Sequence, residues 1–265
     1  MVSESPIRLL HITDTHIRSS AYATLLGVNT AHYFQKIIQL AFSLYRFDAV
    51  LMTGDLAQDP CVASYQFIYD TLAPYDIQGI CLPGNHDDYA LMQQVFNGNI
   101  HCRKQVLLGN WQIISLNSQI VGKNGGFLAD GELAFLQRCL NDRPDHYALV
   151  AVHHHCLATQ SRWMDTMIIQ NHHQLLALLG NYYQAKALVH GHIHQQAETT
   201  VGHLQVLGTP STCFQFKPES GDFELDDDQN PGFRVMELFS DGQIHSTVTR
   251  LPEALLGLQI NRHGY

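Results

Sequence analysis

The chain has 265 residues, 45% hydrophobic and 15% charged, which is enough apolar material for a sizeable core and too little charge for a disordered chain. Against 24 Asp+Glu stand only 15 Lys+Arg, giving a net charge of −9 without a visible basic cluster, and this argues against binding a nucleic acid polymer through its backbone. No apolar run approaches the roughly 18 residues of a membrane span. Glu4 stands where a secretory leader would be basic, and Cys61, Cys81, Cys102, Cys139, Cys156 and Cys213 contain no CxxC pair. The expectation is a soluble cytoplasmic protein with reduced thiols, no membrane partner, and a single domain over residues 1–265. The oligomeric state leaves no signal in the sequence.

In chain order, IRLLHIT (7–13) reads as a strand, 30–45 as a helix, DAVLMT (48–53) as a strand, 61–73 as a helix and IQGICLP (77–83) as a strand. WQIISLN (111–117), a helix near 131–140, YALVAV (147–152) and KALV (186–189) continue the rhythm. Within 30–45, Phe34, Ile37, Ile38, Ala41, Leu44 and Tyr45 recur at three- and four-residue steps, which marks one buried helix face. Such alternation predicts a layered α/β fold. From about 204 the pattern changes to LQVLG, FRVMELF and QIHSTVTRL, joined by Gly/Pro/Asp-rich connections, so residues 204–250 are expected to be mostly strands of a second, more antiparallel sheet. The acidic stretch DFELDDD (222–228) reads as a solvated loop, and the tail from about 252 carries no motif.

The 17 histidines outnumber Lys+Arg, and their placement is informative. Each of five apolar runs is followed at once by residues that can hold a metal. These are Asp14 and His16; Gly54-Asp55; Gly84-Asn85-His86-Asp87; His153-His154-His155; and His190-Gly191-His192-Ile193-His194. Loops at the ends of strands in α/β sheets converge on ligands. A D-x-H triplet is expected about once by chance in this composition and a G-H-x-H only about 0.08 times, so the ordered set carries more weight than any one piece.

The spacing suits a site for two cations. In an extended segment, residues i and i+2 point the same way, so Asp14 with His16, and His192 with His194, could each reach one ion. Glycine before Asp55 and before Asn85 permits a sharp turn and a close approach. A carboxylate has two oxygens and can bridge two ions, the role expected of Asp55. Two divalent cations carry +4, of which Asp14 and Asp55 cancel 2; the remainder suits a phosphate ester and acidifies a bound water towards a pKa of roughly 7.

The order DTH (14–16), GD (54–55), GNHD (84–87), HH (153–154) and GHIH (191–194) resembles the calcineurin-like metallophosphoesterases, over residues 7 to about 218. The resemblance implies a four-layer α/β/β/α sandwich with two mixed sheets. It also implies one metal held by Asp14, His16, Asp55 and His194, and a second by Asp55, Asn85, His153 and His192. In that family a hydroxide bridging the metals attacks phosphorus in line, and the histidine of GNH, here His86, contacts the phosphate and protonates the leaving oxygen. His16, Asp55, Asn85, His86 and His194 would then meet the substrate, with Asn85 and His86 closest to the chemistry. The metals implied are Fe or Mn, with Zn or Co also compatible with this ligation. LGVNT (26–30), TGDLAQD (53–59) and TPSTCFQFKP (209–218) look like the bacterial class III 3′,5′-cyclic AMP phosphodiesterases, which points to cyclic AMP as substrate and 5′-AMP as product. TPSTCFQFKP follows GHIH closely, so its loop could return to the cleft and line a nucleotide pocket.

Two positions depart from the family. Where many relatives have H-H-P-P, this chain has His153-His154-His155-Cys156; His153, first after the apolar run, is the expected ligand, with His154 as the alternative. His190 stands where a small or apolar residue is usual and is read as a core histidine. His154 and His155 are read as packing or supporting residues, as are His11, His32, His101, His146, His172, His173, His203, His245 and His263. For Trp163 and Phe214, a place in the core and stacking on a base are both open. Two other functions compete with a cyclic AMP phosphodiesterase. One is a broader esterase for other small nucleotides or phospholipid head groups. The other is a metal-binding protein without turnover, against which the presence of His86 beside Asn85 argues.

Overall fold

The computed structural model describes residues 5–260, so Glu4 and His263 lie outside the described residues. The elements in chain order are β1 Ile7–Ile12, α1 Thr30–Leu44, β2 Ala49–Thr53, α2 Val62–Leu72, β3 Gln78–Leu82, α3 Tyr89–Val95, β4 Ile100–His101, β5 Gln105–Leu108, β6 Trp111–Ser115 and α4 Asp130–Asp142. Then follow β7 Tyr147–Ala151, α5 His172–Gly180, β8 Ala185–His190, β9 Ala197–Val201, β10 Leu204–Gly208, β11 Gln215–Phe216, β12 Leu225–Asp226, β13 Gly232–Leu238 and β14 Ile244–Arg250.

Two six-stranded sheets form, in the orders β14-β13-β1-β2-β3-β4 and β5-β6-β7-β8-β10-β9. β1 to β4 run parallel in the first, as do β6, β7, β8 and β10 in the second, and antiparallel strands complete the edges. Side chains that alternate along a strand are dealt to two different cores, because successive residues face opposite sides of the sheet. Leu9, Leu51, Leu149 and Val189 pack between the sheets. Leu10, Val50 and Met52 instead meet Phe34, Ile37, Ile38 and Ala41 of α1, while Val150 and Val152 meet Leu136 and Leu140 of α4 and Leu175 and Leu179 of α5. The result is a four-layer α/β/β/α sandwich. α1 starts where the Asn29 side chain accepts a hydrogen bond from His32 N. It ends one residue before Tyr45, which leaves Leu44 exposed rather than on the expected buried face.

The strands expected over 204–250 are shared between the two sheets. β10 lies parallel to β8 within the second sheet, whereas β13 and β14 add antiparallel to β1 in the first; only β11 and β12 make a ribbon of their own. The alternation of β13 assigns its faces, with Phe233 and Val235 towards α1 and Met236 and Leu238 between the sheets. Alternation does not choose a partner: the unpaired edge of β1 does.

Just beneath the carboxyl ends of the strands, a buried polar bridge joins the sheets. The His11 ring lies 2.8 Å from both Thr53 Oγ1 and Thr209 Oγ1, and Arg234 Nε donates to Thr209 Oγ1 at 3.1 Å. Arg234 also donates to Gly208 O at 2.8 Å and Glu198 Oε1 at 2.9 Å, which satisfies an otherwise costly buried guanidinium.

Candidate metal centre

Every sequence-derived ligand position follows the carboxyl end of a parallel strand, and the two sheets open these ends onto one rim. Asp14 and His16 follow β1, Asp55 follows β2, Asn85 and His86 follow β3, His153 follows β7, and His192 and His194 follow β8. The loops after β1 and β2 continue to pair, with Asp14 N donating to Gly54 O and His16 N to Asp55 O. Across the sheets, His192 N donates to the Asp14 carboxylate at 3.0 Å.

The ligand-type atoms gather in two adjoining groups. In the first, His16 Nε2 is 3.2 Å from His194 Nε2, which in turn is 3.4 Å from Asp14 Oδ1. In the second, His153 Nε2 is the hub, 3.1 Å from Asn85 Oδ1, 3.2 Å from His192 Nδ1 and 3.2 Å from Asp55 Oδ2. That same Asp55 oxygen is 4.0 Å from His16 Nε2, so it lies between the groups. Asp14 with His16 and His194, and Asp14 with Asp55 and His153, each offer donor atoms within 4.8 Å of one another.

This donor set fits two cations. Asp14 and Asp55 are carboxylates buried from water among imidazoles, and buried negative charge requires a compensating positive one. Burial opposes ionisation of Asp55, yet the nearby His153 and His86 hold it well below the usual carboxylate range. Burial alone would also lower His153, but Asp55 and then Asp14 overcome it and push its pKa up to about 9. Asp55 and Asp14 thus favour the charged form of His153 in the metal-free chain, and a cation bound among these groups would take over that compensation. Burial holds His16 neutral, with its pKa lowered to about 3, as it does His192, so both keep a lone pair for a metal.

The outer nitrogens fix the rings. His16 Nδ1 meets Gln58 Oε1, His153 Nδ1 meets Thr53 O, and His194 Nδ1 meets Phe214 O, each at 2.8 Å; such partners set tautomer and orientation. Both ring nitrogens of His154 are engaged instead, with Ser118 Oγ at 2.8 Å and Asn124 O at 3.2 Å, although its ring also sits within ligand distance of His153 and His192. That commitment favours His153 over His154 for the ligand role. His190 is buried against Gly191 O at 2.9 Å and belongs to no ligand group among the described residues.

The extended-segment argument for Asp14/His16 and His192/His194 is overturned. All four residues, and Asp55 as well, adopt left-handed backbone conformations, with φ of 52°, 45°, 67°, 49° and 49° respectively. Non-glycine residues rarely stand there, and such strain persists where the surrounding structure imposes it. The chain coils tightly at these positions and lays successive side chains into the site. Gly84 serves close approach rather than a turn: a Cβ there would meet Asp55 Oδ1 at 2.1 Å. Gly191 plays the same part against Thr13 and Asp14.

Sequence reasoning left Asp87 without a role. Its buried carboxylate accepts from the backbone N–H groups of Leu56, Ala57 and Gly84 and from Tyr65 Oη at 2.9 to 3.1 Å, stapling the loop after β2 to the loop after β3. The GNHD tetrad contained this signal, since the residue beside two ligand-bearing turns is well placed to hold both. Gln58 and the carbonyls of Thr53 and Phe214 left no such trace.

Over the site opens a cleft of about 480 Å³, with Asp55, Asn85, His86 and His192 at its floor and Trp163, Met164, Met167, Phe216 and Phe223 forming an apolar wall. The His86 backbone N–H donates to Asp55 Oδ1 at 2.9 Å, and its ring packs edge-on against His16. Trp163 meets Phe216 and Phe223 edge to face, and its indole N–H donates to Ser220 Oγ at 3.0 Å. Ser220 further ties the two wall segments together, accepting from Arg162 N and donating to Ser161 Oγ. Phe214 is fully buried behind His16 and His194, so the residue of TPSTCFQFKP that reaches the cleft is Phe216. Phe223 likewise turns one residue of the acidic stretch inward. All six cysteines are free thiols, and among the described residues no helix is long and apolar enough to cross a membrane.

Comparison with known proteins agrees with this geometry. The chain matches the calcineurin-like phosphoesterase family over residues 7–196. It is 38% identical to the 3′,5′-cyclic adenosine monophosphate phosphodiesterase CpdA of Haemophilus influenzae, covering 99% of this chain and 97% of that one. It is 36% identical to the CpdA of Escherichia coli K12, covering 100% and 97%. Among solved structures, a dimetal phosphatase from Danio rerio superposes with a TM-score of 0.65 at 13% identity over 93% of this chain and 99% of that one. With motif order, sandwich and converging ligands in agreement, the chain belongs to the calcineurin-like phosphoesterases, as a metal-dependent phosphoesterase.

Proposed function

We propose that this protein hydrolyses 3′,5′-cyclic AMP to 5′-AMP, using two divalent transition-metal ions, with Fe or Mn favoured. The observation that carries the reading is the cleft itself, in which a floor of Asp and His donors lies against an aromatic wall. A phosphodiester ring would rest on the floor while a flat base lies against Trp163, Phe216 and Phe223. Full-length similarity to the CpdA enzymes supports cyclic AMP over other small diesters.

The first ion would be held by Asp14, His16, Asp55 and His194, and the second by Asp55, Asn85, His153 and His192. Ions bound there would supply positive charge to the phosphate oxygens and lower the pKa of a bound water towards about 7. The chain's own part is to orient and to move a proton. Asp55 and Asn85 border the phosphate position, and the backbone bond from His86 N to Asp55 Oδ1 fixes the turn that presents the His86 ring. As a water oxygen bonds to phosphorus on the side opposite the 3′ oxygen, a ring N–H of His86 protonates that 3′ oxygen while its bond to phosphorus breaks, which leaves the phosphate on the 5′ oxygen. The apolar wall excludes water from the base side of the cleft.

The test is hydrolysis of cyclic AMP by purified protein with added Mn or with chelator, separating 5′-AMP from 3′-AMP by chromatography. Metal-dependent formation of 5′-AMP alone is expected. Absence of product in protein shown to hold two metals per chain would overturn the cyclic AMP reading and leave another phosphoester as substrate.

A further inference from the structure

Among the ligand histidines one is built differently from the rest. His16, His153 and His194 each have their outer ring nitrogen on a side-chain or carbonyl oxygen at 2.8 Å. His192 points Nδ1 at the second ligand group, 3.2 Å from His153 Nε2, while its outer nitrogen Nε2 is buried with no hydrogen-bond partner among the described residues. Buried polar atoms left in this way are rare and call for a reason.

The neighbour of that ring carries the same anomaly. His155, the third of the three consecutive histidines, is 1% exposed and has neither ring nitrogen in a hydrogen bond among the described residues. It stacks on His192 with 15° between the planes and 5.7 Å between centroids. Its Nε2 is 3.7 Å from Asp165 Oδ1, which is longer than a hydrogen bond but close enough to set which nitrogen carries the proton. Asp165 is itself fixed, accepting from Thr159 N at 2.7 Å and Thr159 Oγ1 at 2.8 Å. Three orphaned nitrogens and one carboxylate are therefore packed beside a single ligand ring.

We propose that His155 is a positioning residue for His192, and that with Asp165 it supplies the polar support that the other ligand histidines find in Gln58, Thr53 and Phe214. With its Nε2–H towards Asp165, His155 keeps Nδ1 as an acceptor beside the stacked His192 ring. Asp165 belongs to the turn Met164–Met167 that carries part of the apolar wall. The support therefore runs from the turn at the foot of the wall to one metal ligand, through Asp165 and not through the aromatic rings. This inference rests on the two-metal reading above.

Metal retention tests it apart from turnover. Wild type, His155→Phe, His155→Asn and Asp165→Asn are loaded with Mn, challenged with graded chelator and assayed for metal per chain, alongside kcat and KM for cyclic AMP. His155→Phe should weaken one of the two metals by roughly 10- to 100-fold, the usual effect of removing an outer partner of a ligand. Asp165→Asn should weaken the same metal less, His155→Asn should recover part of the loss, and kcat should fall with KM nearly unchanged. Should both His155→Phe and Asp165→Asn hold two metals at wild-type affinity, the positioning role is overturned while the two-metal reading stands. A wild-type chain that holds fewer than two metals would overturn that reading as well.

Discussion

The floor and the wall of the cleft are built on opposite principles. The floor consists of short polar turns at strand ends, in which Asp14, His16, Asp55, His192 and His194 are buried and left-handed, and it is pinned by Asp87 and by oxygens on the outer ring nitrogens. The wall is an apolar cluster apart from both faces of the sandwich, in which Met164, Phe214, Phe216 and Leu225 pack with Trp163, Met167 and Phe223, and it is tied together through Ser220. The floor fixes a reaction and the wall a substrate. A family can keep its chemistry while changing its ester when these parts are separable, and each of the following measurements asks whether they are.

Asp55→Ala should have the largest effect, because it removes the carboxylate oxygen that lies between the two groups. Taking away a buried charged donor that both ions would share costs about 3–5 kcal/mol, as for a buried charge pair broken on one side, so metal content should drop below two per chain and turnover of every ester by roughly 10²- to 10⁴-fold. Full metal content in this variant would remove Asp55 from its shared position. His86→Ala should keep both metals and lose about 10²- to 10⁴-fold in kcat, on esters with and without a base alike. Undiminished turnover would end the proton-donor role.

Trp163→Ala separates floor from wall. Stacking on an aromatic side chain is worth about 1–3 kcal/mol per base, so KM for cyclic AMP should rise by roughly 5- to 150-fold. Turnover of an abasic ribose 3′,5′-cyclic phosphate should be unchanged; equal losses on both substrates would mean that the wall also shapes the floor.

The smallest effect concerns pH. Burial lowers the His190 pKa to about 4, and the unfolded side chain titrates near 6.5. Below pH 6.5 the unfolded chain takes up a proton that the folded chain refuses, so stability is complete above that pH and falls as pH drops towards 4. The loss is at most about 1.4 kcal/mol per pH unit. Denaturant midpoints measured on metal-free protein between pH 7 and pH 5 should fall more steeply for wild type than for His190→Gln. Identical slopes would contradict the assignment of His190 as a neutral core histidine.

The floor was largely legible in the sequence because each ligand-type group directly follows a strand-like apolar run, and those runs are the strands β1, β2, β3, β7 and β8. The means by which Asp14 and His16 share a site was not legible. Local spacing suggests an extended segment, and the left-handed turns are imposed by tertiary bonds such as His16 N to Asp55 O. The wall was legible only in part: Trp163 and the TPSTCFQFKP loop could be marked as candidates beside a base, but Trp163, Phe216 and Phe223 are separated in the chain and meet through ring contacts and Ser220 bonds that only the fold supplies. The same holds for β13, whose alternation shows two faces but whose neighbour, β1, lies more than 200 residues earlier. The short helix α3 and the exposed edge strand β9 gave the periodicity too few buried positions to register.

That pairing of β1 with β13 has a consequence for how the molecule comes into being. During synthesis β1 emerges more than 200 residues before β13, the strand that seals its edge, and long before Ser211, whose hydroxyl donates to Asp14 O, and Phe214, whose carbonyl orients His194. Such long-range closure slows folding. Until it occurs the nascent chain carries an open, apolar strand edge that another chain could pair with, so the interval between the first and last strands is when aggregation competes most directly with assembly of the metal centre.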